Sequence, residues 1–338
     1  MHHITLIPGD GIGPAIVDAA VRVIETSGVK VAWDRQLAGM AAVEAHGDPL
    51  PAATLDSIRN TRVCFKGPLT TPVGGGFRSV TVTLRQEFNL YANVRPALSF
   101  PGTEGPFHNV NLVTVRENTE GLYCGTEHFV KVDGKAIAAE SVAIVTRTGC
   151  ERIIRYAFEY ARKAGRKKVT LVHKANILKC TSGLFLEIGR EIAAEYPDIA
   201  FDDIIVDACC MKMVMNPAAF DVLVTTNLFG DILSDLAAGL IGGLGLTAGA
   251  NIGTSAALFE AVHGSAPDIA GKGIANPVAM IMAGVMMLEH LGEPDAARRI
   301  ENAVRAVVAE GKEVTPDLHP GSAVGTVGFT EAIIKRLA

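Results

Sequence analysis

Apolar residues recur along this chain at two spacings that alternate with each other. Residues 3–7 make a short β-branched run. Residues 13–25 then carry Ile16, Ala20 and Ile24 at i, i+4 and i+8, which puts them on one helix face. Gly28 ends that helix, and 29–37 reads as the next strand. Pro51 opens another helix at a position where its missing N–H costs nothing, and 62–66 is a further strand. The middle of the chain repeats the logic with strand 109–115 and helix 150–164, whose apolar face is Ile153, Ile154, Ala157, Phe158 and Ala161 and which Gly165 ends. Strand 169–173, helix 181–196, strand 221–225 and helix 228–240 follow. Such alternation predicts an α/β class with a mostly parallel sheet covered on both faces. Only residues 123–146 depart from it, alternating around Asp133-Gly134 as a hairpin does. A lone hairpin is marginal in water, so this arm is expected to pack on something, the same arm of a second subunit being the natural partner.

Length and composition narrow the picture. At 338 residues the chain exceeds the usual single core, so two lobes are expected. A composition 49% hydrophobic and 20% charged, with 35 glycines, reads as that of a compact α/β enzyme and excludes a disordered or fibrous protein. The net charge of -5 argues against a nucleic-acid partner, and any anionic substrate must meet a local arginine cluster. Cys64, Cys124, Cys150, Cys180, Cys209 and Cys210 show no metal spacing and read as buried free thiols of a reducing compartment, the cytoplasm. The N-terminal stretch has no basic segment and no long apolar core, so no signal peptide is expected. Residues 236–259 are uncharged and long enough to span a bilayer, but they hold six glycines and Asn251 between Asp235 and Glu260. Glycine at that density weakens a helix. Buried glycine-rich loops at a domain junction are expected there, with no membrane partner.

Three groups of residues carry candidate chemistry. Asp231 and Asp235 lie at i, i+4 at the start of a helix that follows a strand, among Leu228, Phe229, Ile232, Leu233 and Leu236. Acids at the C-terminal edge of a sheet face ligands, and acids in apolar company need a cation, so a hard ion such as Mg²⁺ fits. Asp207, ending the expected strand 204–206, is a candidate third carboxylate. The second group is Arg78, Arg85, Arg95 and Arg116, with Ser79 and Thr81 beside them. Permanently charged planar forks suit a di- or trianionic substrate. The third is Gly9-Asp10-Gly11-Ile12-Gly13-Pro14, which imitates a dinucleotide fingerprint but has Pro14 where glycine is needed, and no acid closes the following strand. It reads as a tight strand-to-helix turn only, so a dinucleotide must bind elsewhere.

Seven segments in order then resemble the β-decarboxylating dehydrogenases, the family of isocitrate, 3-isopropylmalate and homoisocitrate dehydrogenases. They are Lys66-Gly-Pro-Leu-Thr-Thr-Pro-Val-Gly, Arg78-Ser79-Val-Thr-Val-Thr-Leu-Arg85, Tyr91-Ala-Asn-Val-Arg95-Pro, Arg116-Glu-Asn-Thr-Glu-Gly-Leu-Tyr123, His173-Lys174-Ala-Asn176, Asn227-Leu-Phe-Gly-Asp231-Ile-Leu-Ser-Asp235 and His263-Gly-Ser-Ala-Pro-Asp268-Ile-Ala-Gly-Lys-Gly-Ile-Ala-Asn276-Pro. The resemblance implies a two-domain α/β fold that is not a Rossmann fold. Residues 1–90 and 242–338 would form the large, cofactor-side domain. Residues 91–241 would form the small, substrate- and metal-side domain with the dimer interface, including a clasp arm at 121–146, and the two domains would flank the active cleft.

It also implies a homodimer or higher homo-oligomer whose sites are shared, Lys174 and Asp207 coming from the other subunit. Tyr123, Lys174 and Asp207 would be catalytic. Ser79, Thr81, Arg85, Arg95, Arg116, Tyr123, Lys174 and Asn176 would bind a hydroxy tricarboxylate. Mg²⁺ or Mn²⁺ would sit on Asp207, Asp231 and Asp235. NAD would meet Thr71, Glu260, His263, Gly264, Ser265, Ala266, Asp268, Ile269 and Asn276, since NADP-using members place lysine and tyrosine where this chain has Asp268 and Ile269. Ser79 is the residue with which isocitrate enzymes meet a third carboxylate, whereas isopropylmalate enzymes present apolar groups there. Thr81 stands where many isocitrate enzymes have asparagine, which keeps homoisocitrate as the nearest rival, with isopropylmalate behind it. NAD-dependent oxidative decarboxylation of isocitrate is the expected activity. A non-catalytic regulatory subunit is the alternative of a different class, and it would be expected to have lost one of Tyr123, Lys174, Asp207, Asp231 or Asp235.

Overall fold

The computed structural model describes residues 1–72, 76–103 and 105–337. They form two compact units, one of residues 1–90, 98–109 and 238 to the C-terminal end, the other of 91–97 and 110–237.

The chain begins in the first unit with β1 (His2–Ile7), α1 (Gly13–Thr26), β2 (Val31–Arg35), α2 (Met40–His46), α3 (Ala52–Thr61), β3 (Val63–Lys66) and α4 (Val80–Glu87). Pro51 precedes α3 as its N-cap. Ser79 caps α4, its hydroxyl accepting the Val82 N–H at 3.4 Å. That contact satisfies one of the backbone donors a helix start leaves over.

The second unit is built from β4 (Ala92–Leu98), β5 (Asn111–Glu117), the hairpin β6 (Glu127–Val132) and β7 (Lys135–Ser141), α5 (Arg147–Lys163), β8 (Lys168–His173), α6 (Thr181–Ala193), β9 (Ala200–Ile205), α7 (Val206–Met215), β10 (Val222–Thr225) and α8 (Asn227–Leu240). Its sheet runs β4-β5-β10-β8-β9, and the β5–β10, β10–β8 and β8–β9 pairs are parallel. The five apolar positions expected on one face of α5 are all fully buried, against β5, β10, β8 and α6. The hairpin is a sheet of its own, closed at its base by a bridge between Gly121 and Ile144.

The chain then returns to the first unit with β11 (Ala248–Ile252), β12 (Ala257–Ala261), α9 (Val278–His290), α10 (Pro294–Glu310) and α11 (Thr326–Leu337). There the order is β2-β1-β3-β12-β11, parallel except for the β11–β12 pair. α9 is apolar on nearly every side and buried from Val278 to Leu288 apart from Met286, packing on β11, β12 and β3, as a helix hydrophobic all round must be.

Three expectations need correction. Residues 236–259 are not mainly loops: they complete α8 and form β11 and part of β12. Among the described residues no helix is long and apolar enough to cross a membrane. Asp207 does not end a strand, because helix α7 begins at Val206 directly after β9 and takes Asp207 into its first turn. The thiols are not uniformly buried either: Cys64, Cys150 and Cys209 are, Cys124 and Cys210 are half-buried, and Cys180 is exposed.

Candidate active site

The second unit gathers arginines, acids and a tyrosine at the C-terminal edge of its sheet. Arg116 is opposite Thr225 in the β5–β10 register, so it emerges beside the start of α8. Its side chain, 1% exposed, runs across Gly230, where a Cβ would stand 2.5 Å from the Arg116 Cγ. From there Nη1 pairs with Asp231, while Nε and Nη2 donate to the Asn227 Oδ1 at 3.0 and 2.7 Å. Arg95 reaches the same helix from β4. Its Nη1 donates to the Ser234 hydroxyl at 2.7 Å and lies 3.4 Å from a carboxylate oxygen of both Asp231 and Asp235. Tyr123, in a short 3₁₀ turn at Leu122–Cys124, donates its hydroxyl to Asp231 at 2.5 Å, with the Arg116 guanidinium 5.3 Å from its ring centroid. Burial and the Asp231 carboxylate push the phenol's pKa up against the opposing pull of Arg116, so Tyr123 holds its proton at neutral pH. Burial likewise raises Asp235, opposed by Arg95.

Helical spacing puts Asp231 and Asp235 on one face, and both converge on one positively charged nitrogen. Two carboxylates so placed, with substrate oxygens and water to complete the shell, suit a hard divalent ion. The described residues contain no set of three His, Cys, Asp or Glu side chains gathered at one point. Asp207 is thus not brought to Asp231 and Asp235 within one chain. It pairs instead with Lys174, whose ammonium holds the Asp207 carboxyl below the usual carboxylate range. Lys174 follows β8 in a turn pinned by buried His173, which accepts the Ala175 N–H at 3.0 Å and meets Asp203 at 3.2 Å. Asn176 is exposed.

The first unit holds the other expected residues. Arg85, at the end of α4, donates from Nε to Asn251 at 3.1 Å and from Nη2 to Glu260 at 3.3 Å. Lys66 meets the second oxygen of Glu260 at 2.8 Å. Ser79 and Thr81 are half-buried near the start of α4, whereas Arg78 and Thr71 are exposed. The turn that imitates a dinucleotide fingerprint packs on backbone. A Cβ at Gly11, whose φ is +59°, would lie 2.0 Å from the Ser265 carbonyl oxygen, and that oxygen accepts the Ile12 N–H at 2.9 Å. The turn therefore supports the loop expected to meet the cofactor. In that loop the Ser265 hydroxyl bonds Thr70 at 2.7 Å, and Ala266 holds a left-handed φ of +40°. A strained residue of this kind is typical of ligand clamps. His263, its pKa lowered by burial, contacts the Gly264 carbonyl at 3.0 Å. Asn276 joins Asp317 at 2.9 Å, Asp268 and Gly264 are exposed, and Ile269 is half-buried.

Asn227, Gly230, Ser234, Lys66 and Asn251 were not assigned roles from sequence. Four of them lie inside the family-like segments, and Asn227, Gly230 and Ser234 share the helix face of Asp231 at i+3 and i+4 steps. That spacing was the available signal.

Residues 3–333 match the family model described as isocitrate/isopropylmalate dehydrogenase. The chain is 50% identical over 334 residues to the mitochondrial NAD isocitrate dehydrogenase catalytic subunit 5 of Arabidopsis thaliana, covering 98% of this chain and 88% of the relative. It is also 50% identical over 309 residues to the chloroplastic 3-isopropylmalate dehydrogenase of Solanum tuberosum, covering 91% and 85%. Among solved structures, the isocitrate dehydrogenase of Methylococcus capsulatus superposes with a TM-score of 0.98 at 79% identity, covering 100% of this chain and 99% of that one. With its α/β architecture and its family-like segments in order, the chain belongs to the isocitrate/isopropylmalate dehydrogenase family.

Proposed function

We propose that the protein oxidises isocitrate with NAD and decarboxylates it to 2-oxoglutarate and CO₂, with Mg²⁺ or Mn²⁺ held by Asp231, Asp235 and Asp207. The observation that carries this reading is the convergence of Arg95, Arg116 and Tyr123 on Asp231 beside Asp235. When bound, NAD supplies the hydride acceptor and the divalent ion the Lewis acid that lowers the pKa of the 2-hydroxyl. The residues of the chain do the rest. Arg85, Arg95 and Arg116 hold carboxylates as charged hydrogen-bond donors, and Ser79 offers its hydroxyl proton to the third. Lys174, acting as the neutral amine, takes the proton of the 2-hydroxyl and becomes the ammonium as C2 gives up its hydride. The ketone so formed is β to a carboxylate, whose C–C bond breaks to release CO₂ and leaves its electron pair at C3. Tyr123, protonated at neutral pH, delivers the proton there.

The working form is a homodimer or larger homo-oligomer in which Lys174 and Asp207 serve a neighbouring copy. Their mutual pairing, which leaves them out of the Asp231 cluster of their own chain, supports this. Presence of all five catalytic and metal side chains favours a catalytic chain over a regulatory one.

Steady-state assay of the purified protein with isocitrate, homoisocitrate and 3-isopropylmalate, each with NAD and NADP, tests the reading. Isocitrate with NAD should give the highest kcat/KM, and chelation should abolish turnover. Exposed Asp268 faces the 2′-phosphate of NADP as a like charge. At about 4 Å and an effective dielectric near 20 the repulsion is roughly 4 kcal/mol before screening, so even a screened remainder gives NAD a preference of about a hundredfold. A higher efficiency with isopropylmalate, or equal use of the two cofactors, would overturn the assignment.

A further inference from the structure

Buried beneath the Asp231 cluster is one amide side chain that touches both the substrate arginine and the turn carrying the acid. Asn227 is 2% exposed at the first position of α8. Its Oδ1 accepts from Arg116 Nε at 3.0 Å and from Arg116 Nη2 at 2.7 Å. Its Nδ2 donates to the Glu120 carbonyl at 3.0 Å. The orientation of the amide is fixed by its partners, because a guanidinium only donates and a carbonyl only accepts. The Glu120 carbonyl lies three residues before Tyr123, at the base of the turn closed by the Gly121–Ile144 bridge. Glu117 holds the other side of the same turn, accepting the Thr119 N–H at 3.0 Å and the Glu120 N–H at 2.8 Å. With Nε and Nη2 taken by Asn227, Nη1 is the nitrogen that turns to Asp231, the carboxylate on which the Tyr123 hydroxyl also rests.

We propose that Asn227 is a positioning residue that sets the Arg116 guanidinium and the Tyr123 turn in one fixed relation, so that substrate carboxylate and C3 proton donor are aligned together. The inference rests on the roles given above to Arg116 and Tyr123. It says why the amide, and not an isosteric carboxylate, stands here: aspartate keeps an acceptor for Arg116 but turns an oxygen towards the Glu120 carbonyl, whereas alanine removes both links.

Asn227→Ala and Asn227→Asp test it, each with whichever hydroxy acid the wild type prefers. Alanine should raise the KM for that acid about tenfold to a hundredfold, the effect of losing hydrogen bonds to a charged group. It should lower kcat about tenfold or more and leave the KM for NAD within about twofold. Aspartate should leave kcat low although its acceptor towards Arg116 persists. In the enzyme without ligands, amide hydrogen exchange at 118–124 should quicken in both variants while α5 is unchanged. Wild-type constants in both variants, an equal rise in both KM values, or unchanged exchange at 118–124 would each overturn the proposal. A wild type that prefers another acid, or is inert on all, defeats the substrate reading alone, because the exchange measurement still decides the role of Asn227.

Discussion

Glu260 shows how one carboxylate organises a site from within the core. It is buried, with Lys66 at 2.8 Å, Arg85 at 3.3 Å and the Asn251 amide donating at 2.8 Å. Burial alone would raise its pKa, but the charges of Lys66 and Arg85 outweigh that and bring it down to about 2. The folded-state value is thus depressed below the ordinary carboxylate value. The associated stability is fully present above about pH 4.5 and is lost as pH falls towards 2, with no dependence expected near neutrality. Removing this charge leaves the Lys66 ammonium, 1% exposed, without its anion, a loss typically costing about 3–5 kcal/mol. Glu260→Gln should therefore lower unfolding free energy by that amount at pH 7, measured by denaturant titration, and flatten the acid limb of the stability profile. An unchanged midpoint would show that the pair contributes nothing net. The same variant frees the end of Arg85, so loss of binding and loss of stability are expected together.

At the scale of elements, the hairpin β6–β7 lacks a covering layer in a single chain. Phe129, Val132 and Ile137 are 64%, 51% and 63% exposed, and a two-stranded ribbon is marginal alone. On the proposed homodimeric assembly, Phe129→Glu with Ile137→Glu should shift sedimentation from dimer to monomer and remove the proposed turnover while leaving the circular dichroism of the helices intact. A fully active dimeric double variant would refute the role of the arm in assembly. This hairpin was legible in the sequence because Asp133-Gly134 interrupts an alternating pattern, and α5 because its apolar face recurs at three- and four-residue steps from Ile153 to Ala161. The start of α7 was not legible: β9 passes into it at Ile205–Val206 without glycine or proline to mark the junction. Of the site, Asp231 and Asp235 stood out because charge in apolar company needs an explanation, and the arginines because four planar forks fall between positions 78 and 116, whereas Tyr123 was named from family likeness. Asn227 and Ser234 did not, since a buried amide or hydroxyl reveals its purpose only when β5 and β4 bring Arg116 and Arg95 to α8. Lys174 was named from family likeness and Asp207 from its place after β9, and within one chain the two pair with each other.

The whole molecule divides its chemistry as it divides its chain. The second unit carries the acids, Tyr123, Arg95 and Arg116; the first carries Arg85, Glu260 and the 263–276 loop. The first unit is also drawn from both ends of the chain, with Val63 of β3 paired to Ala257 of β12 and the Gly11 turn seated on Ser265. This arrangement imposes an order of events during synthesis. As the chain leaves the ribosome from its N-terminus, residues 110–237 are complete before β11 and β12 exist. The second unit can close on its own sequence-local contacts, which form soonest. Meanwhile β1, β2 and β3 wait with the edge of β3 unpaired, the kind of edge that invites wrong partners. Nascent chains halted before β11 should accordingly show a protease-resistant second unit and a cleavable 1–90 segment, and a resistant 1–90 segment would contradict this order. Building the first unit from both chain ends thus has a cost in time: the edge of β3 is made early but paired late, and a chaperone that shields it has the longest interval in which to act.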